Sequence, residues 1–381
     1  MDVNRRALSV PSVRALAPLP VLVVAALMGI ALAYWIASTV PRDFKYFDLG
    51  EQTAPIYGSL DGKKVFCGTL EESRECLDAA QSSPLTKRVL WLGNSQLYAI
   101  NQPKAGDETA PILLARALRP EGAQVTAFAL SSASFSEMLL VYKWMAKEYR
   151  PDVLVIPAFL DDTREQNIRS ELAPAFRRAD ISAMLDGNPI GAELRSRLLK
   201  PQTAGGSEEE DASMQARSEN WITAKLENCC ALQKVRADAR GQIELQTFFF
   251  RNLLFDVTAQ SVRPIIPESY RANMTALELI LEEARKASTK VVVYIPPIRQ
   301  DATSPYDPAQ YAAFKREIQR TALAAGATFV EREKLVPARF WGTKAATRTG
   351  GDPELDFMHY QAEGHRLLAG TMADPVREAL R

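Results

Sequence analysis

The chain contains only two histidines among its 381 residues, and both lie in one short stretch near the C-terminus. His359 stands three residues after Asp356, a spacing that lets the carboxylate fold back onto the imidazole. Imidazole is the usual general base at neutral pH. Far upstream, Ser95 follows an apolar run that is typical of a buried strand ending in a tight turn. Serine, histidine and aspartate are the components of a nucleophilic triad, so this set predicts acyl transfer through a serine.

Short apolar strands alternate with helical segments along much of the chain. The predicted strands are 88–92, 124–130, 152–159, 290–295 and 327–331, and the predicted helices are 110–118, 136–149, 273–288, 309–325 and 361–372. The 152–159 strand is apolar on both faces, which is typical of a central parallel strand. This alternation predicts an α/β fold, a three-layer sandwich with a five-stranded parallel sheet.

Polar side chains follow each predicted strand. They are Ser95 after the first strand, Ser131, Ser132 and Ser134 after the second, Asp161, Asp162 and Arg164 after the third, Arg299 after the fourth, and Asp356 and His359 after the fifth. Because reactive groups in an open parallel sheet lie at the carboxyl ends of the strands, we expect these residues to converge on one edge. The two arginines are either solvated or ion-paired, or they bind an anionic substrate.

Two short motifs in this order carry a family resemblance. Gly93-Asn94-Ser95-Gln96 after the first strand, and Asp356-x-x-His359 before the last helix, resemble the SGNH/GDSL hydrolase superfamily. The apolar N-terminal segment, the insertion and the Asp-Phe-Met-His ending are similar to the D-alanyl-lipoteichoic acid biosynthesis protein D family. The periplasmic alginate-type O-acetyltransferases are built in the same way. The resemblance covers residues 89–369 in layout and implies the flavodoxin-like SGNH fold.

The resemblance also implies a role for each residue of the triad. Ser95 would be the nucleophile and form an acyl-enzyme, His359 would act as general base and then acid, and Asp356 would orient the imidazole. The backbone N–H of Ser95 would form part of the oxyanion hole. Asn94 is a further candidate for contact with the oxyanion or the substrate.

The chain departs from the family pattern at two places. The second block usually supplies a glycine, but residues 129–134 contain none, which leaves Ser132 as a backbone or hydroxyl donor. The third block usually supplies an asparagine, where this chain has Asp161 and Asp162. Since an anion cannot stabilise an oxyanion, these carboxylates are expected to hold Arg164 or to bind an amine or a sugar hydroxyl.

Structural roles compete with the catalytic ones at each position. Ser95 could cap the helix that follows it, and Asp356 could cap a helix with His359 as a polar residue near its start. His365 falls in the closing helix, where a surface position is expected.

The N-terminal segment predicts the cellular compartment. No charged residue occurs between Arg14 and Arg42, and residues 19–40 are long enough to cross a bilayer as a helix. Arginines precede this segment, so the positive-inside rule predicts a cytoplasmic N-terminus and an exported remainder. We predict an uncleaved single-pass anchor in the inner (cytoplasmic) membrane, with a periplasmic catalytic domain. The alternative is a signal peptide cleaved near residues 31–33.

The predicted organisation has three parts. Residues 1–43 are the cytoplasmic tail and anchor, 44–84 a membrane-proximal segment, and 85–381 an SGNH-like catalytic domain with a helical insertion at about 163–270. The apolar part of the insertion, residues 248–255, either packs on the core or contacts the membrane or a membrane partner.

The four cysteines fit an oxidising compartment. Cys67 and Cys76 flank a short charged segment and are the candidate disulfide. Cys229 and Cys230 are adjacent, and a bond between neighbours is strained. No further Cys or His lies at metal-ligand spacing, so neither a metal nor another cofactor is expected.

Together these features predict an exported, membrane-anchored serine acyltransferase or esterase. Its substrate would be a cell-envelope polysaccharide or a teichoic-acid-like polymer, and a polytopic membrane O-acyltransferase would deliver an acetyl or D-alanyl group. The alternative is a non-catalytic accessory protein on the same scaffold. Nucleic acid is not an expected partner, because 46 basic and 46 acidic residues give a formal net charge of zero. A phosphoryl-transfer enzyme is disfavoured because no glycine-rich loop follows the first strand.

Overall fold

The computed structural model describes residues 52–81, 83–164, 168–169, 172–188, 252–347 and 351–381, and also Val24, Met28, Gly29, Leu49 and Gly191. All of these except Val24, Met28 and Gly29 belong to one compact unit. Most of the predicted anchor, the Cys229–Cys230 pair and most of the predicted insertion lie outside the described residues. Among the residues that are described, no helix combines the length and the apolar character needed to cross a membrane.

Strands and helices alternate through the compact unit. The strands are β1 (Thr53–Pro55), β2 (Ser59–Leu60), β3 (Lys63–Lys64), β4 (Phe66–Cys67), β5 (Lys87–Gly93), β6 (Ala99–Asn101), β7 (Ala123–Ala129), β8 (Val153–Pro157), β9 (Lys290–Ile295), β10 (Thr328–Glu331), β11 (Trp341–Lys344) and β12 (Glu354–Tyr360). The helices with described bounds are α1 (Leu70–Gln81), α2 (Ala110–Leu118), α3 (Phe135–Tyr149), α4 (Ala173–Phe176), α5 (Ala179–Met184), α6 (Pro267–Lys286), α7 (Pro308–Ala324) and α8 (Ala362–Ala379).

The central sheet is parallel, with strand order β4–β7–β5–β8–β9–β10. The α/β class and the parallel sheet agree with the sequence, but the sheet has six strands where five were predicted. The additional strand is β4, which is only two residues long and therefore too short to show a hydrophobic period. A disulfide between Cys67 and Cys76 joins β4 to α1.

Both faces of the sheet are covered, which makes the fold a three-layer sandwich. Along β5, Leu90 and Leu92 belong to the core cluster shared with α3, α6 and α7, whereas Val89 and Trp91 belong to the cluster shared with α2 and α8. Successive side chains of a strand point to opposite faces, so a strand buried on both sides must be apolar at every position. The apolar run in β5 is continuous because both faces of this strand are buried.

The strand order reverses at β5. The chain passes from β5 to its neighbour β7 on one side, and then crosses to β8 on the other side. In doubly wound sheets the crevice outside the carboxyl ends of the strands at such a reversal is where ligands bind. Ser95 follows β5 directly and Asp162 follows β8, so the sheet brings both to this crevice.

His365 is buried, in contrast to the surface position expected from the sequence. Its Nδ1 accepts the backbone N–H of Ala110 at 3.2 Å, and its Nε2 donates to the carbonyl oxygen of Ala99 at 3.2 Å. The ring thereby supplies the cap that α2 lacks, because the N-cap residue Thr109 makes no side-chain cap hydrogen bond. A protonated ring would direct a second donor at the N–H of Ala110, and burial lowers the pKa of His365 to about 3.

The folded protein should therefore become less stable in mild acid, because His365 is held in its neutral form. The folded-state pKa lies below the usual value of 6.5, so this contribution is present above pH 6.5 and is lost as the pH falls towards 3. We expect the free energy of unfolding to decrease by up to about 1.4 kcal/mol per pH unit across that window. Urea unfolding of the wild type and His365→Gln at several pH values measures it. If the free energy of unfolding changed equally with pH in the two proteins, His365 would not be a neutral buried ring.

Candidate active site

Ser95 opens a 3-10 turn, Ser95–Leu97, immediately after β5, and the residue is only 7% exposed. The side-chain oxygen of Asn94 caps this turn by accepting the N–H of Gln96 at 3.1 Å. Gly93 permits the abrupt change from strand to turn, because a Cβ at that position would lie 2.4 Å from the Leu97 side chain. The turn therefore holds Ser95 at the carboxyl edge of the sheet.

Gln96 ties this turn to the other side of the site. Its buried side-chain Nε2 donates to the carbonyl oxygen of Pro297 at 2.8 Å and to that of Met358 at 2.7 Å. Pro297 lies in the loop after β9, and Met358 precedes His359 on β12. The amide thus sets the distance between the serine turn and the histidine strand.

The structure brings Ser95, His359 and Asp356 into one hydrogen-bonded chain. Ser95 Oγ lies 2.9 Å from His359 Nε2, and His359 Nδ1 lies 3.2 Å from Asp356 Oδ2. With the Nδ1 proton donated to the carboxylate, Nε2 is left to accept the hydroxyl proton of Ser95. This is the geometry that a general base needs in order to activate a serine.

Asp356 and His359 lie inside strand β12, so neither residue caps a helix. Residues three apart in a regular strand point to opposite faces. The pairing of β12 with β11 shifts register between Trp341 and Thr343, and Asp356 Oδ1 accepts the N–H groups of both Met358 and His359 at 2.9 Å. This local irregularity turns the carboxylate and the imidazole towards each other.

The Asp356 carboxylate has four donors. Two are the backbone N–H groups, the third is His359 Nδ1, and the fourth is Asn101 Nδ2 at 3.1 Å. Burial alone would raise the pKa of Asp356, but the charge of His359, the hydrogen bond to its ring and the backbone N–H groups together lower it to about 2. Asp356 is therefore ionised at neutral pH and can orient an imidazole.

Asn101 is a member of the site that the sequence analysis missed. It is fully buried on β6, and its Nδ2 also lies 3.0 Å from both Thr53 Oγ1 and the carbonyl oxygen of Thr343. Gly342 makes this approach possible, because a Cβ there would lie 1.7 Å from Asn101 Oδ1. β6 is three residues long, so no periodic signal marks it in the sequence.

The second-block serines have different roles. Ser134 caps α3, where its Oγ accepts the N–H of Glu137 in a reciprocal capping box. The carbonyl oxygen of Ser131 accepts a hydrogen bond from Arg169. Ser132 is exposed and has a left-handed backbone, φ 50°. Of the three, Ser132 is the most exposed.

Asp162 and Asp161 face different surroundings although they are neighbours. Asp162 is buried, and its Oδ1 accepts from Asn94 Nδ2 at 3.1 Å. Burial raises the pKa of Asp162 well above its usual range, which favours the uncharged form of the carboxyl beside the serine turn. Asp161 contacts Arg263 at 2.5 Å and the Tyr306 hydroxyl at 3.2 Å. Arg164 lies 3.6 Å from Asp161, as expected for a carboxylate that holds this arginine.

Arg299 is buried and holds the scaffold together. Its guanidinium donates to both carboxylate oxygens of Asp301 and, at 2.6 Å, to the carbonyl oxygen of Gly342. Arg299 is therefore ion-paired, which was one of the two alternatives predicted from the sequence. Its donors point at β11 and at the loop after β9, and not at Ser95.

Lys344 is a second residue that the sequence analysis did not single out. It lies half-buried on β11, opposite Glu354 on β12. Burial lowers its pKa and the charge of Arg263 adds to that effect, while Asp356 and Glu354 oppose it. A cation close to Asp356 is thus part of the electrostatic surroundings of the triad. The described residues include no group of His, Cys, Asp and Glu side chains that could hold a metal ion.

Comparison with known proteins gives limited information. No family model matches this chain, and no curated protein matches it. Among solved structures, a GDSL-like lipase from Bacteroides thetaiotaomicron is similar at 12% identity and a TM-score of 0.37, over 81% of this chain and 99% of that one. The acetylxylan esterase Axe2 from Geobacillus stearothermophilus is similar at 10% identity and a TM-score of 0.37, over 77% and 94%. Such distant likenesses do not establish a family.

Removal of the Asn101 amide should destabilise the protein at this site. Asn101→Ala leaves the carbonyl oxygen of Thr343 without this donor and takes one of four donors from the Asp356 carboxylate. We expect a loss of about 2 to 4 kcal/mol in the free energy of unfolding, measured by urea denaturation. Gln300→Ala, at an exposed position, is the control, with an expected change below about 0.5 kcal/mol. Similar losses for both variants would contradict the role given to Asn101.

Proposed function

We propose that this protein is an SGNH-type serine acyltransferase or esterase that works through an acyl-Ser95 intermediate. The observation that carries the proposal is the hydrogen-bonded chain from Ser95 through His359 to Asp356 at the strand-order reversal of the sheet. The low pKa of Asp356 keeps its carboxylate ionised, and Nε2 of His359 faces the serine hydroxyl.

The reaction proceeds in two balanced steps. In the first, Ser95 Oγ attacks the acyl carbonyl carbon while its proton moves to His359 Nε2, and the tetrahedral intermediate collapses as that proton passes to the departing alcohol. In the second step, a hydroxyl group or water attacks the acyl carbon, His359 takes the incoming proton, and Ser95 Oγ leaves and recovers it. Asp356 keeps the imidazole in the correct tautomer and remains ionised throughout.

The negative charge that develops on the carbonyl oxygen needs donors at the serine turn. The Ser95 N–H begins the 3-10 turn, and within the described residues it has no hydrogen-bond acceptor. It can therefore donate to the oxyanion. The third-block carboxyl of Asp162 is compatible with an oxyanion at Ser95, because burial favours its uncharged form.

We further propose that the acyl group is small, acetyl or D-alanyl, and that it is moved onto or off a hydroxyl of a cell-envelope polymer. Ser95 and His359 are both buried, which favours a small acyl group over a bulky one. The apolar segment 19–40 would tether the domain to the outer side of the inner membrane, beside a polytopic O-acyltransferase.

Turnover of a simple ester should depend on Ser95. With the full-length protein in detergent and an aryl acetate as substrate, we expect Ser95→Ala to lower the rate by at least about a thousandfold, because no acyl-enzyme can form. Ser59→Ala removes an exposed hydroxyl from β2 and should retain the wild-type rate. Turnover that survives in Ser95→Ala would reject the triad and favour the accessory-scaffold function.

Transfer and hydrolysis should be separable by product partitioning. If transfer dominates, rising concentrations of a soluble oligosaccharide increase the acetylated product at the expense of free acetate. The rate constant for acylation of Ser95 stays unchanged, because acylation precedes the choice of acceptor. Mass spectrometry of the products measures the ratio. Free acetate as the sole product at every acceptor concentration would identify an esterase.

A further inference from the structure

The side-chain amide of Asn94 lies between the serine turn and β8. Its Oδ1 accepts the N–H of Gln96 at 3.1 Å, and its Nδ2 donates to Asp162 Oδ1 at 3.1 Å. Asn94 is 2% exposed and Asp162 is 1% exposed, so solvent does not compete for either group. An asparagine amide can be placed in two orientations that differ by exchange of O and N, and the neighbouring groups select one.

We propose that Asp162 is a positioning residue for the reaction at Ser95, because its carboxyl fixes the Asn94 amide in the orientation that caps the serine turn. This inference rests on the proposed function of Ser95. With an acceptor at Asp162, Nδ2 must face β8 and Oδ1 must face the N–H of Gln96. Without it, the amide can rotate and the turn loses its cap.

Asp162 is itself held in place. It lies in the 3-10 turn Asp161–Thr163, and its Oδ2 accepts the N–H of Phe159 at 3.3 Å. Thr163 fixes this turn, since its Oγ1 donates to the carbonyl oxygen of Leu160 at 2.7 Å. The Asn94–Asp162 bond thus joins the turns that follow β5 and β8, the two strands on either side of the crevice.

Burial raises the pKa of Asp162 well above its usual range, and the titratable groups around it contribute less. Those facing it are the acidic Asp161 and Glu137 and the phenols Tyr294 and Tyr306. The nearby arginines have other partners, since Arg263 contacts Asp161 and Arg169 contacts Glu137. A neutral carboxyl still accepts from both Asn94 and Phe159.

The pair can be tested by exchanging its two side chains. Asp162→Ala removes the acceptor. Asp162→Asn faces a conflict, since its NH₂ must point at either the Asn94 NH₂ or the Phe159 N–H. The double variant Asn94→Asp with Asp162→Asn resolves the conflict. The amide introduced at position 162 donates to position 94 and accepts from Phe159, while the new carboxyl group at position 94 accepts from Gln96.

The experiment measures covalent labelling of Ser95 by a fluorophosphonate in the full-length protein. It gives two quantities, the labelling rate at saturating probe and the affinity for the probe. We expect Asp162→Ala and Asp162→Asn to label about tenfold more slowly at saturation with unchanged affinity, and the exchanged pair to recover to within about threefold of wild type. Asp374→Asn, an exposed carboxylate on α8, is the control and should label at the wild-type rate.

The positioning role of Asp162 and the proposed function of Ser95 would be rejected by different results. If folded Asp162→Ala labels at the wild-type rate, or if the exchanged pair is no faster than the Asp162→Asn single variant, the positioning role is rejected. If Asp162→Ala does not fold, the comparison of Asp162→Asn with the exchanged pair still decides. Absence of labelling on wild-type Ser95 would instead reject the proposed function.

Discussion

The side-chain amide of Gln96 is the interaction on which the arrangement of the site depends. Ser95 and His359 are 264 residues apart and lie on different elements, and Gln96 donates from beside the serine to both the loop after β9 and β12. Each such bond contributes about 1 kcal/mol, but loss of the donor would leave two carbonyl groups unsatisfied at a further cost of about 1 to 3 kcal/mol each. Because losing the donor costs more than each bond contributes, one amide can keep the nucleophile and the base together.

The same principle governs the charged end of the triad. A buried carboxylate is costly unless hydrogen bonds and opposite charge compensate it, and Asp356 has four donors. Among the described residues no cation lowers the pKa of Asp162, and burial raises it well above its usual range. The pKa values of two buried carboxyls at one edge of the sheet are thus shifted in opposite directions, because their surroundings differ.

The sequence predicted correctly those features that leave a local pattern of apolar residues or an unusual residue composition. The strand–helix alternation predicted the parallel sheet, and the scarcity of histidine directed attention to His359 and Asp356, which the fold brings to Ser95. The inward position of His365 was also recoverable, because it lies on the same helical stripe as the buried Leu368 and Met372.

Other features depend on contacts between distant segments, which no local pattern records. β4 and β6 are too short to show a period, and the β11–β12 pairing is irregular. The roles of Gln96 and Asn101 follow from partners far away in the chain. For the same reason Asp161 and Asp162 looked equivalent in the sequence, although only Asp162 contacts Asn94. The membrane anchor and the acceptor polymer remain predictions from residues 19–40 and from the family resemblance.

The most direct test of the proposed chemistry is to locate the covalent adduct. The full-length protein is treated at neutral pH with a fluorophosphonate, which forms an Oγ–P bond with loss of fluoride when a serine is activated by a base. Intact-mass spectrometry and peptide mapping then give its stoichiometry and position. A single adduct per chain, carried by Ser95, is the predicted result. No adduct, or an adduct on another residue with Ser95 unmodified, would contradict the assignment of Ser95 as the nucleophile.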